Sequence, residues 1–359
     1  MGCRLAARPV AGPGCGLGCP ADADRYWHTD PRGRRPRGLA CANGRAVVTT
    51  PHTHAISREL VHRAQIAEVF VTSLTKRRDD QFVTTAQLPR SHAFFGDHTG
   101  TLENAYDPMM VMEAARQSGM VVVHEHFDVP FTMAFLLRTF NGRAIDGRAW
   151  DIDAKPAELT MVTQVTRLVH QHDALTGMSV TVDIKRSGMP MMVVDSKFSW
   201  IPKPQWISLR RDIRSKAGLP DVVEPIPHCV PVAAASVGRH LNRNVVISPP
   251  KLYGNTAKSM LVVDTGHATL FDHPVDHMPG SLQIEACRQI GVAALRSRFP
   301  DATPGLDCVK STFDAFLELD RPSVVISEIA EVTDDRAVVS CSIRQFGRPA
   351  AQFVAGFVL

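Results

Sequence analysis

At 359 residues with 44% hydrophobic content, the chain is long enough for two domains of ordinary size and can bury a core in each. Its formal charge of +4 is concentrated at the front: positions 1–54 carry eight Arg against three acids, leaving 32 basic and 33 acidic residues behind, which excludes the broad basic face that nucleic acid requires. No run approaches the ~18 apolar residues of a membrane span, no signal-peptide core opens the chain and the eight cysteines lack zinc spacing, so the expectation is a cytoplasmic protein without membrane, metal or cofactor.

In chain order, positions 1–54 are rich in Arg, Gly, Pro and Ala without hydrophobic period, as in Arg32-Gly33-Arg34-Arg35-Pro36-Arg37-Gly38. The segment is expected to be a disordered basic tail, or sequence ahead of a misassigned start. A helix is predicted after Tyr106, with Asp107 as N-cap, Pro108 in the first turn and an apolar stripe of Met109, Met112, Met120 and Val123 that encloses Arg116. Strand-like runs follow at 161–168, 179–185 and 191–200. The basic stretch Arg210-Arg211-Asp212-Ile213-Arg214-Ser215-Lys216 reads as a solvated linker, with docking of an acidic carrier protein as the alternative. Pro279-Gly280 opens a second helix from about 281 that ends before Pro300; its stripe of Ile284, Val292 and Leu295 encloses Arg288. Further strand-like runs lie at 324–332, 337–344 and 351–359.

Three matches recur in the same order along the chain. His92-Ala93 with Asp97-His98 returns as His267-Ala268 with Asp272-His273, and Glu113-Ala114-Ala115-Arg116-Gln117-Ser118-Gly119 returns as Glu285-Ala286-Cys287-Arg288-Gln289-Ile290-Gly291. Lys185-Arg186-Ser187-Gly188-Met189-Pro190 returns as Arg344-Gln345-Phe346-Gly347-Arg348-Pro349, and both read as hairpin connections. The spacings of 175, 172 and 159 residues shrink only by loop-sized steps, which indicates a duplicated domain. The expected division is 55–205 and 239–359, joined by a linker at 206–238. Each copy is one long helix against an antiparallel sheet, an α+β design. Gly119 and Gly291 fall at the same place in the two helices, consistent with tight helix-to-sheet packing or with room for an acyl chain.

The densest chemistry lies in Phe271-Asp272-His273-Pro274-Val275-Asp276-His277-Met278-Pro279-Gly280-Ser281, a loop running straight into a helix N-terminus whose backbone N–H groups suit a carbonyl gaining negative charge. Glu285 lies about one turn inside, on the side of Arg288 and Gln289, and a carboxylate and imidazole so placed could act as base and acid. The plainer reading makes Glu285 with Arg288, and Glu113 with Arg116, ordinary intrahelical ion pairs, and His273 and His277 loop residues with local hydrogen bonds.

Phe271-Asp272-His273-Pro274-x-Asp276-His277-x-Pro279-Gly280 with Glu285-Ala286-x-Arg288-Gln289 resembles the signature of the A-factor synthase family, and Leu88-Pro89-Arg90-Ser91-His92 with Glu113-Ala114-Ala115-Arg116-Gln117 resembles its first-half counterpart. The likeness covers about 57–359. It implies a tandem hot-dog fold and an acyltransferase that joins a β-ketoacyl thioester, on acyl carrier protein or coenzyme A, to the hydroxyl of dihydroxyacetone phosphate, on the way to a γ-butyrolactone or butenolide signal controlling antibiotic production. On that implication His273 and Glu285 activate the hydroxyl, Gly280 and Ser281 hold the oxyanion, and Arg288 and Arg116 grip phosphate. Asp272, His277, Glu113 and His92 complete the catalytic candidates, and Gln289 and Gln117 the substrate-binding ones; a homodimer is a candidate assembly. The halves differ where copy one has Asp107-Pro108 and copy two Pro279-Gly280, and either His92 or His98 could face Glu285 across them. A dehydratase, a thioesterase and a non-catalytic acyl-binding regulator are the alternatives on the same fold.

Overall fold

The computed structural model describes residues 51–359 apart from 146 and 224–228, so positions 1–50, most of the expected basic tail, lie outside the described residues. β1 (Val71–Arg78) and β2 (Gln81–Leu88) form a hairpin, followed by α1 (Pro108–His126), β3 (Met133–Ala144), β4 (Ala157–Gln171), β5 (Ala174–Arg186) and β6 (Met189–Pro202). After α2 (Lys203–Lys216) the sequence of elements repeats: β7 (Lys251–Tyr253), β8 (Thr256–Met260), α3 (Gly280–Arg298), β9 (Gly305–Phe313), β10 (Val324–Val332), β11 (Arg336–Gln345) and β12 (Arg348–Val358).

The strands make one antiparallel sheet in the order β1-β2-β4-β5-β6-β3-β9-β12-β11-β10-β8-β7. Read inward from its two edges the order is the same, with β3 and β9 meeting in the middle. Their ladder is thin, pairing Thr139 with Thr312, Gly142 with Val309 and Arg143 with Cys308. Ser311 reinforces it: its hydroxyl accepts from the Phe140 N–H at 3.0 Å and its own N–H donates to Asn141 Oδ1 at 2.9 Å.

Both long helices are buried over most of their length, as expected of core helices apolar on nearly all sides. Asp107 caps α1 as predicted, accepting from the Met109 N–H, with Pro108 opening the helix. α3 has Pro279 at the same position and no side-chain cap. The predicted hairpin connections carry paired left-handed residues, Ser187-Gly188 and Phe346-Gly347, which suit the right-handed twist of the flanking strands.

The basic stretch 210–216 is not a solvated linker: it is the second half of α2. The Arg210 guanidinium makes two 2.8 Å bonds to Glu318 and a 3.0 Å bond to Asp276, while Arg214 reaches Glu318 and Asp320 at 2.7 Å each. Two cations one turn apart therefore face inward, because the loop before β10 supplies their carboxylates. Among the described residues no helix is long and apolar enough to cross a membrane.

Candidate active site

Each core helix carries a carboxylate held by two arginines and a glutamine. On α1, Glu113 accepts from Arg63 Nη2 at 2.7 Å, from Arg116 Nε and Nη2 at 2.8 Å, and from Gln117 Nε2 at 2.8 Å. On α3, Glu285 accepts from Arg239 Nη2 at 2.6 Å, from Arg288 Nε at 2.8 Å and from Gln289 Nε2 at 2.5 Å. Gln117 also clips the chain before β1, donating to Glu68 O and accepting from the Phe70 N–H; Gln289 does the same with Asn244 O and the Val246 N–H. Both glutamines thus serve the backbone, which accounts for their repetition.

The loops before the helices cross between halves. Asp272 of the second half accepts from the Ala64 and Gln65 N–H groups of the first, and Asp97 of the first half accepts from the His240 and Leu241 N–H groups of the second. His273 therefore stands beside the Glu113 cluster and His98 beside the Glu285 cluster. The expected partnership of His273 with Glu285 is corrected by this crossing.

The two clusters differ in access. Around Glu285, Asp107 fills the space: its carboxylate accepts from Arg288 at 2.7 Å and pairs with His98 at 2.8 Å, and the side chains of Arg288 and His98 are 3% and 5% exposed. Burial pushes the Glu285 and Asp107 carboxyls up, but Arg239 and Arg288 outweigh it for the first and Arg288 and His98 for the second, so both stay ionised. Glu285, Arg288 and Gln289 are thus buried and bonded to one another. In the other half Pro279 replaces Asp107 and offers no carboxylate, and the side chains of Arg116 and His273 are 28% and 29% exposed. Glu113 is ionised too, since Arg116 and Arg63 overcome its burial and hold it at about 2. It holds Arg116 through two 2.8 Å bonds.

The helix glycines show the same asymmetry. A methyl placed on Gly291 would meet the Phe357 ring at 2.6 Å, so glycine there serves packing. One on Gly119 would stand 3.9 Å from the corresponding Phe198. Phe198 belongs to an aromatic set with partly buried Phe135 and buried Trp200, ring centroids 5.8–6.4 Å apart.

His62 and His124 border this aromatic set, their Nε2 atoms 2.8 Å apart and their ring centroids 5.0 Å apart, with Phe135 edge-on to His62 at 5.1 Å. Burial first, then the charges of His124, Arg116, His273 and Lys203, the first residue of α2, lower the proton affinity of His62. The N-terminus of α3 reaches the same wall: a methyl on Gly280 would lie 3.2 Å from Leu137, two residues from Phe135 on the same face of β3. Its first-turn N–H groups have no side-chain cap, and Ser281 is exposed. The first half thus gathers cations, imidazoles, the N-terminus of α3 and an aromatic cluster.

Two sequence candidates lie elsewhere. His277 bonds Asp276 at 2.7 Å and packs on Trp206 and Phe316, within the contacts that hold α2. His92 closes its own loop, accepting at Nδ1 from the Phe94 and Phe95 N–H groups and donating at Nε2 to Glu68; His267 repeats that loop closure with Thr269 and Leu270. Arg63, Arg239 and His62 are absent from the sequence candidates. The available signal was short: Val61-His62-Arg63 recurs as Val237-Gly238-Arg239, 176 residues on.

A large antiparallel sheet wrapped on long core helices defines a hot-dog protein, and the A-factor biosynthesis hotdog domain matches residues 46–202 and again 223–358. The chain belongs to that family. A protein of Streptomyces virginiae named 2-oxo-3-(phosphooxy)propyl 3-oxoalkanoate synthase is 34% identical over 284 residues, covering 79% of this chain and 90% of its own. One of the same name from Streptomyces coelicolor is 30% identical over 231 residues, covering 64% and 69%. Among solved structures, the dehydratase domain of the CurK module of curacin polyketide synthase is 10% identical with a TM-score of 0.47, covering 81% of this chain and 96% of that one, a likeness too distant to bear on chemistry.

Proposed function

We propose that the chain is a cytoplasmic acyltransferase that moves a β-ketoacyl group from a thioester, on acyl carrier protein or coenzyme A, to the hydroxyl of dihydroxyacetone phosphate. The product is the first committed intermediate toward a γ-butyrolactone, butenolide or furan signal that controls antibiotic production. The observation that carries the reading is the cationic cluster with partly exposed Arg116 and His273 beside the aromatic side chains of Phe135, Phe198 and Trp200, in a chain whose relatives are named for a phosphooxypropyl 3-oxoalkanoate product. Arg116, whose Nε and Nη2 are held by Glu113, offers its remaining Nη1 group to the phosphate, with Lys203 adding charge. The acyl chain lies along Phe135, Phe198 and Trp200 beside Gly119. The Gly280 and Ser281 N–H groups stabilise the oxyanion of the tetrahedral intermediate. His273, oriented through Nδ1 by Asp272 at 3.3 Å, protonates the departing thiolate.

In this reading the halves 55–205 and 239–359 are two hot-dog units, the connection 206–238 carries the α2 anchor, and one unit works while the other supports it. Two units already within one chain also make a further homodimer unnecessary for completing the site. The test is mass spectrometry of products from purified protein and a β-ketoacyl thioester, with and without dihydroxyacetone phosphate. The expected result is the phosphorylated ester, or the butenolide it closes to, only when both substrates are present. Free β-keto acid or an enoyl product regardless of the phosphate would instead mark a thioesterase or dehydratase, and tight binding without turnover an acyl-binding regulator.

A further inference from the structure

The outer face of the sheet carries a charge asymmetry of its own. In the first half a hollow of about 410 Å³ opens there, its lining including Arg138, Arg167, Lys197, Gly177, Ser179 and Ser199. Cross-strand pairing builds it: Arg167 pairs with Ser179, Ser179 with Lys197 and Lys197 with Thr139, so a row across four strands sets two cations on one face. Arg138 is the extra residue of the bulge between Leu137 and Thr139, which adds a third. Phe198 points the other way, toward Gly119, so strand alternation sends its neighbours Lys197 and Ser199 outward. All three cationic residues are exposed, no carboxylate lines the hollow, and among the described residues none of the three forms an ion pair. Asp195, the preceding outward residue of β6, bonds the Thr181 hydroxyl at 2.6 Å.

The second half shows that the fold does not require these charges. Phe357 faces Gly291 as Phe198 faces Gly119, and the two ladders share their bulges, so the positions correspond one by one. Val338 stands for Ser179 and pairs with Glu331 in place of Arg167 and with Gly356 in place of Lys197. Asp307, the extra residue between Leu306 and Cys308, takes the place of Arg138 and is paired with Arg336. Two acids and a glycine thus stand where the first half has three cations. Like charges gathered on one face repel, so three cations without a carboxylate, at places where the duplicate has none, point to an anionic ligand.

We propose that this hollow binds the phosphate that ends the pantetheine arm of the acyl donor, a group that coenzyme A and a carrier protein have in common. The proposal rests on the acyl-transfer reading and gives the donor an anchor separate from the acceptor phosphate at Arg116. Arg138, Arg167 and Lys197 supply charge-assisted donors, and the Ser179 and Ser199 hydroxyls add neutral ones. The volume exceeds that of one phosphate and falls in the range of small-molecule sites, roughly 300–1,000 Å³, so the hollow holds the phosphate with the groups next to it. Its place on β6 suits the arm. Ser199 lies four residues before Lys203, whose charge reaches His62 beside Arg116. At about 3.3 Å per residue that is about 13 Å around the end of the strand, a span that an extended pantetheine arm covers.

The test compares wild type with a chain carrying Arg138→Gln, Arg167→Gln and Lys197→Gln together, on three donors of the same β-ketoacyl group. Two are the coenzyme A and carrier-protein thioesters; the third is the N-acetylcysteamine thioester, which has the reacting bond and no phosphate. The expected result is a donor KM raised about 10- to 150-fold for the phosphate-bearing thioesters. The KM for the N-acetylcysteamine donor, the KM for dihydroxyacetone phosphate and the melting temperature should stay as in wild type, because the three side chains are exposed and pair with nothing else. A rise with only one of the two phosphate-bearing donors would support the site and identify which source it serves. Donor KM values unchanged for both, or an equal loss with the phosphate-free donor, would overturn the assignment while leaving acyl transfer intact. Absence of ester from the wild-type chain with every donor would remove acyl transfer and this assignment together.

Discussion

Identical residues in the two helices meet different surroundings because of one residue outside the repeated string. Arg116 and Arg288 both fork onto a glutamate three positions back, yet only Arg288 also receives a second carboxylate, from Asp107. Asp107 caps α1, binds Arg288 and holds His98, so it links the halves as well as closing the second cluster. Asp107→Ala would leave Arg239 and Arg288 facing Glu285 alone, with His98 unpartnered on that side. The expected cost is about 3–5 kcal/mol, as for breaking other buried ion pairs, read as a lowered urea midpoint at unchanged slope. Ester formation per folded molecule should be retained, since Asp107 bonds the start of α1, Arg288 and His98 rather than Arg116. Stability within about 0.5 kcal/mol of wild type would mean that the cluster is not held as described.

At the scale of elements, α1 and α3 were legible because their starts carry strong signals, Asp107-Pro108 and Pro279-Gly280, and because the Glu-Ala-x-Arg-Gln-x-Gly string repeats. β4, β5, β6, β10, β11 and β12 were visible through β-rich runs and two Gly-containing turns, although β4 extends to Ala157–Gln171, beyond the expected 161–168. β3 was missed, since a bulge between Leu137 and Thr139 breaks its alternation, and β7 is three exposed residues. α2 was hidden for a different reason: Arg210 and Arg214 look like a solvated charged face until Glu318 and Asp320, over 100 residues away, come into contact with them. Glu318→Ala should therefore release α2, with loss of about 3–5 kcal/mol from two buried guanidiniums left short of a partner. Limited proteolysis should then cut first within 203–222; a cleavage pattern identical to wild type would show that α2 is held by its apolar contacts instead.

Over the whole molecule, the duplicated architecture is packed asymmetrically. The second half keeps a filled centre, with Phe357 against Gly291 and Asp107 over Arg288; the first keeps Gly119 clear of Phe198 and leaves Arg116 and His273 accessible. The repeat and the family resemblance were readable from sequence, but the pairing of residues was not. The loops of each half serve the cluster of the other, so His273 belongs with Glu113 rather than with the nearer Glu285. Long-range crossing of that kind leaves no periodic trace, and only the short Val-x-Arg match hinted at the arginines that complete each cluster.

The central claim is that acyl transfer to a phosphorylated acceptor occurs at the Arg116 site alone. The most direct measurement is the rate of ester formation against dihydroxyacetone phosphate concentration for wild type and Arg116→Ala, in which Arg63 and Gln117 still hold Glu113. Loss of charge-assisted bonds to phosphate, about 1.5–3 kcal/mol, should raise the acceptor KM roughly 10- to 150-fold with little change in melting temperature. An acceptor KM unchanged by Arg116→Ala in an active enzyme would contradict the account.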